Sequence, residues 1–308
     1  MGFQQGFRIN TNTASLDTYR SYSASQAGME KNIERLSSGL RINKAADDAA
    51  GLSISNRMDN QVRGMQQAHR NVQQANNMLQ TAEGAMNEVG NILGRMRELA
   101  VQSASDTVSS TDRGSLELEF DQLTSEIDRI AESTQYNGQT LLAGVSSGTT
   151  ENIKSFTIQV TANKDSTNTP NVMTFDLYSM RSDQFVDTVN MNTTNGAEET
   201  GDFLDLTSAT IDTSVTNAQS AITTLDKAIE SVSKQRATVG AMQNQLEHTA
   251  SNLMSNIQNT SASMSTIRDA DFAAEAADLA KNQILVQSGT AMLAQANGLS
   301  QNVLALIR

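Results

Sequence analysis

The chain has 308 residues, no cysteine, no tryptophan, one proline and a net charge of −12 from 34 acidic and 22 basic residues. That balance excludes the basic patch with which nucleic-acid-binding proteins neutralise phosphates and argues against an anionic membrane surface, and the lack of thiols excludes a disulfide framework and a thiolate metal site. Aromatic residues are only 4% of the chain, so its cores must be built from Leu, Ile, Val, Met and Ala, as in long helical packings.

The first ten residues, Met1 to Asn10, lack the basic and apolar segments of a Sec signal peptide. No window is long and apolar enough for a transmembrane helix. A location outside the cell therefore requires another export route.

From Tyr19 onward, Tyr22, Gln26, Met29, Ile33, Leu36 and Leu40 alternate steps of three and four, the a/d rhythm of a heptad. After a break the rhythm resumes at Met58, Val62 and Met65 and continues through Val72, Leu79, Met86, Val89, Leu93 and Met96. The spacing predicts a helix from about Ser55 to Ser105, roughly 75 Å long at the helical rise per residue. A third apolar stretch, Leu116, Phe120, Leu123, Ile127 and Ile130, ends at the Asn137-Gly138 turn.

The middle, from about 145 to 210, is rich in Thr, Ser, Asn and Asp. Phe156 to Val160 alternates as a strand does, and Val172 to Leu177 does so less cleanly, with a turn-rich loop from Asn163 to Pro170 between them. This predicts a small β-hairpin region inserted between two helical halves, with the proline placed where it harms no helix.

Helical periodicity returns at Ala218, Ile222, Leu225, Ile229 and Val232 and runs on through Val239, Leu246, Leu253, Ile257, Met264 and Ile267. The last segment carries two adjacent heptad lines: Leu285, Met292, Leu299 and Leu306 form one, and Phe272, Leu279, Val286 and Leu293 the other. Two lines make a wider face than a dimer seam needs, so this helix expects several neighbours. The fold class that follows is mainly α: a long antiparallel helical bundle or coiled coil of N- and C-terminal segments with a small inserted β-hairpin region.

Candidate chemistry is sparse. His69 and His248 are the histidines; His69 falls where the heptad rhythm between Met65 and Val72 expects a seam residue, and His248 follows Glu247 without completing an H-E-x-x-H zinc site. Nucleophile-elbow, P-loop and dinucleotide-binding glycine patterns are absent. Asp47 and Asp48, near Lys44, read as helix-capping or ion-pairing groups, since neighbouring residues on a helix do not face each other. Met58, Met65, Met86 and Met96 fall at core spacing, where adaptable thioethers suit packing with close alternatives. Asn192 and Asn259 begin N-glycosylation sequons of the kind expected by chance in a Thr/Asn-rich chain. Neither a cofactor, a metal nor a catalytic residue is predicted.

The run Glu34-Arg-Leu-Ser-Ser-Gly-Leu-Arg-Ile-Asn43, followed by Lys44-Ala-Ala-Asp-Asp-Ala-Ala-Gly51, resembles bacterial flagellin. So do Ala68 to Asn71, Gln80 to Gly84, Met96 to Ser103, Glu126 to Ile130 and Gln135 to Gly138. Near the C-terminus Ile267 to Asp271, Gln283 to Leu285, Gly289 to Asn297 and Asn302 to Arg308 match as well. Roughly 200 residues are covered, in order, far beyond a short motif.

The resemblance implies a structural subunit that polymerises into the flagellar filament, the propeller of swimming motility, and implies no enzyme. It implies a discontinuous filament-core domain of residues 1–46 plus 270–308, and an outer helical domain of 47–269 with hairpins and a variable segment at about 145–210. Subunit packing would fall to Tyr22, Met29, Ile33, Leu36, Leu40, Phe272, Leu279, Leu285, Val286, Met292, Leu293, Leu299 and Leu306. It further implies type III export in an unfolded form, an export chaperone on the segment from about Phe272 to Arg308, contacts with hook-filament junction and filament cap proteins, and an extracellular location, periplasmic in a spirochaete. A vertebrate toll-like receptor reads some family members, and the matching positions here are Arg95, Leu99 and Glu119, with Gly94 where many such members have Gln. The extended N-terminus, where Gly2-Phe3 is echoed by Gly6-Phe7, and the short variable region depart from the family pattern. The rival readings are the hook-filament junction protein of similar architecture, a secreted adhesin or signalling coiled coil, and an enzyme carried on a filament.

Overall fold

A computed structural model describes residues 12–144, 153–162, 171–182, 185–186, 203–204, 209–211 and 215–307, with side chains as far as 298. The predicted loop from Asn163 to Pro170, the sequon at Asn192 and the side chains of Leu299 and Leu306 lie outside these residues. The chain divides into two compact units: residues Met1–Asn60 with Gln258–Arg308, and residues Gln61–Ile257.

In the first unit, helix α1 (Thr13–Ser38) is antiparallel to the C-terminal helix α5 (Phe272–Ile307). Helices α2 (Ala49–Ser103) and α4 (Val215–Arg268) each contribute residues to both units. Every start in the first unit has a side chain that meets the backbone N–H groups a first turn leaves free. The Asn12 side chain accepts from Ser15 N, the Asp48 carboxylate from Gly51 N, and the Asp271 carboxylate from Ala273 N. Helix α1 stops at Gly39, whose φ of 72° is the left-handed conformation that suits glycine, and its N–H closes on Arg35 O at 2.8 Å.

The connectors after α1 and before α5 are tied together. Arg41 N donates to Arg268 O at 2.7 Å, and Ala270 N donates to Gly39 O at 3.0 Å, so Leu40 and Asp269 form an antiparallel bridge. The Arg41 guanidinium also donates to Ile267 O. Ile42 is buried beneath this clasp, and a methyl group at Gly51 would lie 2.7 Å from its Cδ1. Asp47 closes the outer side: its carboxylate takes hydrogen bonds from Asn43 N and Lys44 N and pairs with Lys31 Nζ at 2.8 Å. The Lys31 ammonium first, then the two backbone N–H groups, hold Asp47 well below its ordinary pKa of 3.8. Asp47 and Asp48 thus divide the two expected roles, one pairing and one capping.

The second unit is a helical core with a hairpin laid on it. Along α2, Met65, Val72, Leu79, Met86, Leu93 and Ala100 form one buried heptad line, and Ala68, Ala75, Ala82, Val89, Met96 and Ser103 the other. The small residues of the second line are core positions, and Ala68 takes the place the sequence reading gave to its half-buried neighbour His69. Facing them on α4 are Ala218, Leu225, Val232, Val239, Leu246 and Leu253, with Ala221, Ala228 and Gln235 beside them. Alanine on both helices permits close approach of their axes. Arg97 to Asp226 at 2.6 Å and Gln243 to Glu83 at 3.0 Å fix the antiparallel register.

Helix α3 (Ser110–Ser133) returns along α2, with Arg113 donating to Ser103 O and Ser105 O and Arg95 pairing with Glu119. It buries Phe120, Ile127 and Ala131. Beyond it, β1 (Gln135–Tyr136) and β2 (Gln139–Thr140) pair across Asn137 and Gly138, both with positive φ, as a two-residue hairpin turn of this type demands.

The expected larger hairpin is present as β3 (Ile153–Gln159) and β4 (Val172–Tyr178), antiparallel, with Phe156 opposite Phe175 and their rings 5.5 Å apart. Phe175 and Leu177 turn inward and Thr174 and Asp176 outward, the alternation of a half-buried strand. A further short pair, β5 (Phe185–Val186) and β6 (Phe203–Leu204), is antiparallel. The larger hairpin is anchored to both long helices. Asn71 Nδ2 donates to Gln159 O, and buried Gln235 donates to Asp176 O, each at 3.3 Å. At Gly64 the approach is closest: a Cβ there would lie 2.6 Å from Ala162 Cβ.

Two consequences are measurable. Gly64 and Gly84 both lie inside α2, and nothing stands within 4 Å of a Cβ at Gly84. Gly84→Ala should therefore stabilise by about 0.5–1 kcal/mol through backbone entropy. Gly64→Ala should destabilise by about 1–3 kcal/mol because the hairpin must shift. Urea titration of both variants checks the opposite signs. For Asp47, a folded pKa below the unfolded one makes its contribution present above the ordinary carboxylate range and lost as pH falls through the folded value. The stability gap between the native chain and Asp47→Asn should be constant near neutral pH and shrink in acid; a gap unchanged by acid would remove Asp47 from the acid response.

Candidate subunit-packing face

Polar and small groups set the register of the α1–α5 pair. Asn12 Nδ2 donates to Ala296 O at 2.9 Å, Ser15 Oγ to Asn297 Oδ1 at 3.0 Å, and Arg35 Nη1 to Glu275 Oε1 at 2.7 Å. Between these, glycines admit side chains from the opposite helix. A Cβ at Gly28 would lie 3.1 Å from Asn282 Nδ2, and one at Gly289 would lie 3.2 Å from the Tyr22 ring. Asn32, with its amide turned so that both ends are satisfied, donates to Gly28 O and accepts from Leu279 N. These contacts set a register.

The half-buried residues of α1 include Ser15, Thr18, Tyr22, Ser25, Met29 and Leu36, with Asn32 buried among them. On α5 the matching set is Glu275, Leu279, Asn282, Val286, Gly289, Leu293 and Ala296. The expected packing residues thus divide. Tyr22, Met29 and Leu36 face the intramolecular seam, as do Leu279, Val286 and Leu293 on α5, while Leu40 is half-buried in the connector bridge.

The others point away. Ile33 is 49% exposed and shares its face with Leu16 at 60% and Tyr19. On α5, Leu285 and Met292 are exposed beside Ile284, and Phe272 is 64% exposed despite sharing a heptad line with Leu279. Neither α1 nor α5 contains a fully buried large apolar side chain among the described residues. The pair therefore leaves a large part of its apolar surface to water, more than scattered single residues account for.

Of the receptor-matching positions, Arg95 and Glu119 pair at 2.8 Å on the surface, with Glu98 also on Arg95. Leu99 is fully buried. Its side chain is part of the helical core and supports that surface from beneath.

No group of His, Asp and Glu among the described residues is arranged to hold a metal ion. His248 is exposed on α4 and His69 half-buried on α2. None of the helices described is long and apolar enough to cross a membrane. The terminal faces are the feature left without an intramolecular purpose.

Comparison with known proteins identifies the family. The N-terminal helical region of bacterial flagellins matches residues 9–147, and the C-terminal helical region matches 222–307. Flagellin of Bacillus subtilis (strain 168) is 41% identical over 312 residues, spanning 98% of this chain and 100% of that protein. Flagellin FlaB2 of Treponema pallidum is 40% identical over 303 residues, spanning 97% and 99%. In fold alone, the chain is similar to a flagellar hook-associated protein of Vibrio parahaemolyticus, at a TM-score of 0.56 and 13% identity, covering 72% of this chain and 100% of that one. With both terminal regions matched and near-complete likeness at about 40% identity, this chain belongs to the bacterial flagellin family, the structural subunits of flagellar filaments.

Proposed function

We propose that copies of this chain assemble by burying the outward faces of α1 and α5 against one another, so that residues 1–46 and 270–308 form the innermost layer of the filament and 47–269 the layer outside it. The observation that carries this reading is the orientation of the large apolar side chains: Leu16, Tyr19, Ile33, Ile284, Leu285 and Met292 are exposed, outside a seam that polar pairs hold in register. An antiparallel pair of helices has two sides, so each copy can meet more than one neighbour. Repeated head-to-tail contacts that do not close give an open helical array. Ordering the terminal helices costs conformational entropy, which the apolar area newly buried must exceed. Addition is therefore favoured at an existing end, where that area is already on offer.

The same exposed segment supports a chaperone that covers about Phe272 to Arg308 before export, and the absence of cysteine suits a chain exported unfolded through the flagellar type III route. Junction and cap proteins at the two ends of the filament would meet the same faces. The location is the extracellular filament, or the periplasm in a spirochaete. Where a vertebrate host is met, the Arg95–Glu119 pair is the surface a toll-like receptor would read. Likeness of about 40% to filament proteins, against 13% to the hook-associated protein, favours the filament over the junction reading.

Charge on the outward faces should separate folding from assembly. Ile33→Asp and Leu285→Asp alter exposed positions, so chain stability should stay within about 0.5 kcal/mol. Elongation of filament seeds, followed by electron microscopy, should fall to background. Deleting residues 272–308 should abolish elongation while the thermal unfolding of the unit spanning 61–257 persists. If both aspartate variants elongated seeds at the native rate, the outward faces would not be the assembly surface.

A further inference from the structure

Methionines contribute to both units, but their exposure is uneven. Met65, Met78, Met86, Met96 and Met180 are buried, and Met29, Met58, Met173, Met242 and Met264 are half-buried. Among the described residues only Met254, at 54%, and Met292, at 59%, are exposed. The two differ in setting. Met254 belongs to α4 in the second unit, whereas Met292 lies one heptad from exposed Leu285 on the outward face of α5.

We propose that Met292 is a peroxide-sensitive modification site whose oxidation stops an unassembled chain from joining a filament. The inference rests on the assembly reading above. A peroxide transfers one oxygen atom to the thioether: the O–O bond breaks, an S–O bond forms, sulfur loses two electrons, and hydrogen peroxide leaves as water. The product sulfoxide is polar and a strong acceptor, where the thioether was apolar and pliable. In the free chain this change is harmless, because the side chain is already in water. On a face that must be desolvated the sulfoxide costs more to bury than the thioether it replaces, because its oxygen must give up water. Buried methionines in the second unit are shielded from the same reagent, which leaves Met254 and Met292 the most exposed thioethers among the described residues. Assembly itself would then protect Met292, making oxidation a filter on subunits awaiting incorporation rather than on filaments already built.

The test uses the full chain, filament seeds and mild hydrogen peroxide, with oxidation mapped by peptide mass spectrometry. Oxidised native chain should elongate seeds at least tenfold more slowly than untreated chain, and methionine sulfoxide reductase with a dithiol should restore the rate. Met292→Leu should retain its own untreated rate after peroxide, and Met254→Leu should remain as sensitive as the native chain. Pre-formed filaments should show Met254 oxidised in preference to Met292. Unchanged elongation with Met292 present as sulfoxide overturns the proposal, and so does loss of rate in treated Met292→Leu. Failure of reductase to restore the rate once Met292 is reduced also overturns it. Failure of the untreated native chain to elongate seeds is a separate result, and strikes the assembly reading itself.

Discussion

The register of the seam between α1 and α5 is the constraint on which the rest depends. Two amphipathic helices would ordinarily turn their large apolar residues toward each other. Here Tyr22, Met29, Leu36, Leu279, Val286 and Leu293 do so only to half-burial, and Asn12, Ser15, Gly28, Asn32, Arg35, Glu275 and Asn282 share the meeting line with them. Polar contacts of this kind contribute little net stability, about 1 kcal/mol each, but they are specific in geometry. The pair is thereby held in one register without consuming the apolar surface needed elsewhere. The Leu40–Asp269 bridge ties off one end of that register, where both chains leave the pair.

This division explains the contrast between the two units. The second unit keeps its apolar residues for itself: Leu79, Met86, Leu93 and Met96 on α2 and Leu225, Val239 and Leu246 on α4 are fully buried, each such side chain contributing about 1.5–3 kcal/mol of transfer free energy. The hairpin adds Phe175 and Leu177 to the same core, and Gln235 at a heptad position fixes where it lies. The first unit buries Ile42 under its connectors, and little else that is both large and apolar. One unit has its packing within the chain; in the proposed assembly the other gains it from neighbours.

Much of this was legible in the sequence because heptad periodicity survives substitution among Leu, Val, Met and Ile. The long helices and the antiparallel return followed from it, and the central hairpin from the strand alternation at Phe156 to Val160 and Val172 to Leu177. Two things did not. Ala68, Ala75 and Ala82 complete the core line of α2, yet a search for large apolar residues passes over them and assigns the seam to His69. The two lines of α5 announced a broad face, but periodicity cannot say which line meets α1. That is decided by Gly28 and Gly289, which admit Asn282 and Tyr22, and by the Arg35–Glu275 pair. The run from Glu34 to Gly51 likewise identified the family before its physical meaning was visible. Its Arg35, Gly39, Arg41, Asp47 and Asp48 turn out to pair, terminate, clasp, brace and cap within one connector.

Amide hydrogen exchange on free chain and on assembled filament tests the central claim most directly, because it reads local opening residue by residue. The account predicts that amides of α1 and α5 exchange readily in the free chain and become strongly protected in the filament, while those of α2 and α4 between residues 61 and 257 are protected in both. Equal and strong protection of α1 and α5 in the free chain would contradict it. The terminal pair would then be stable by itself, and its outward apolar faces would owe nothing to assembly.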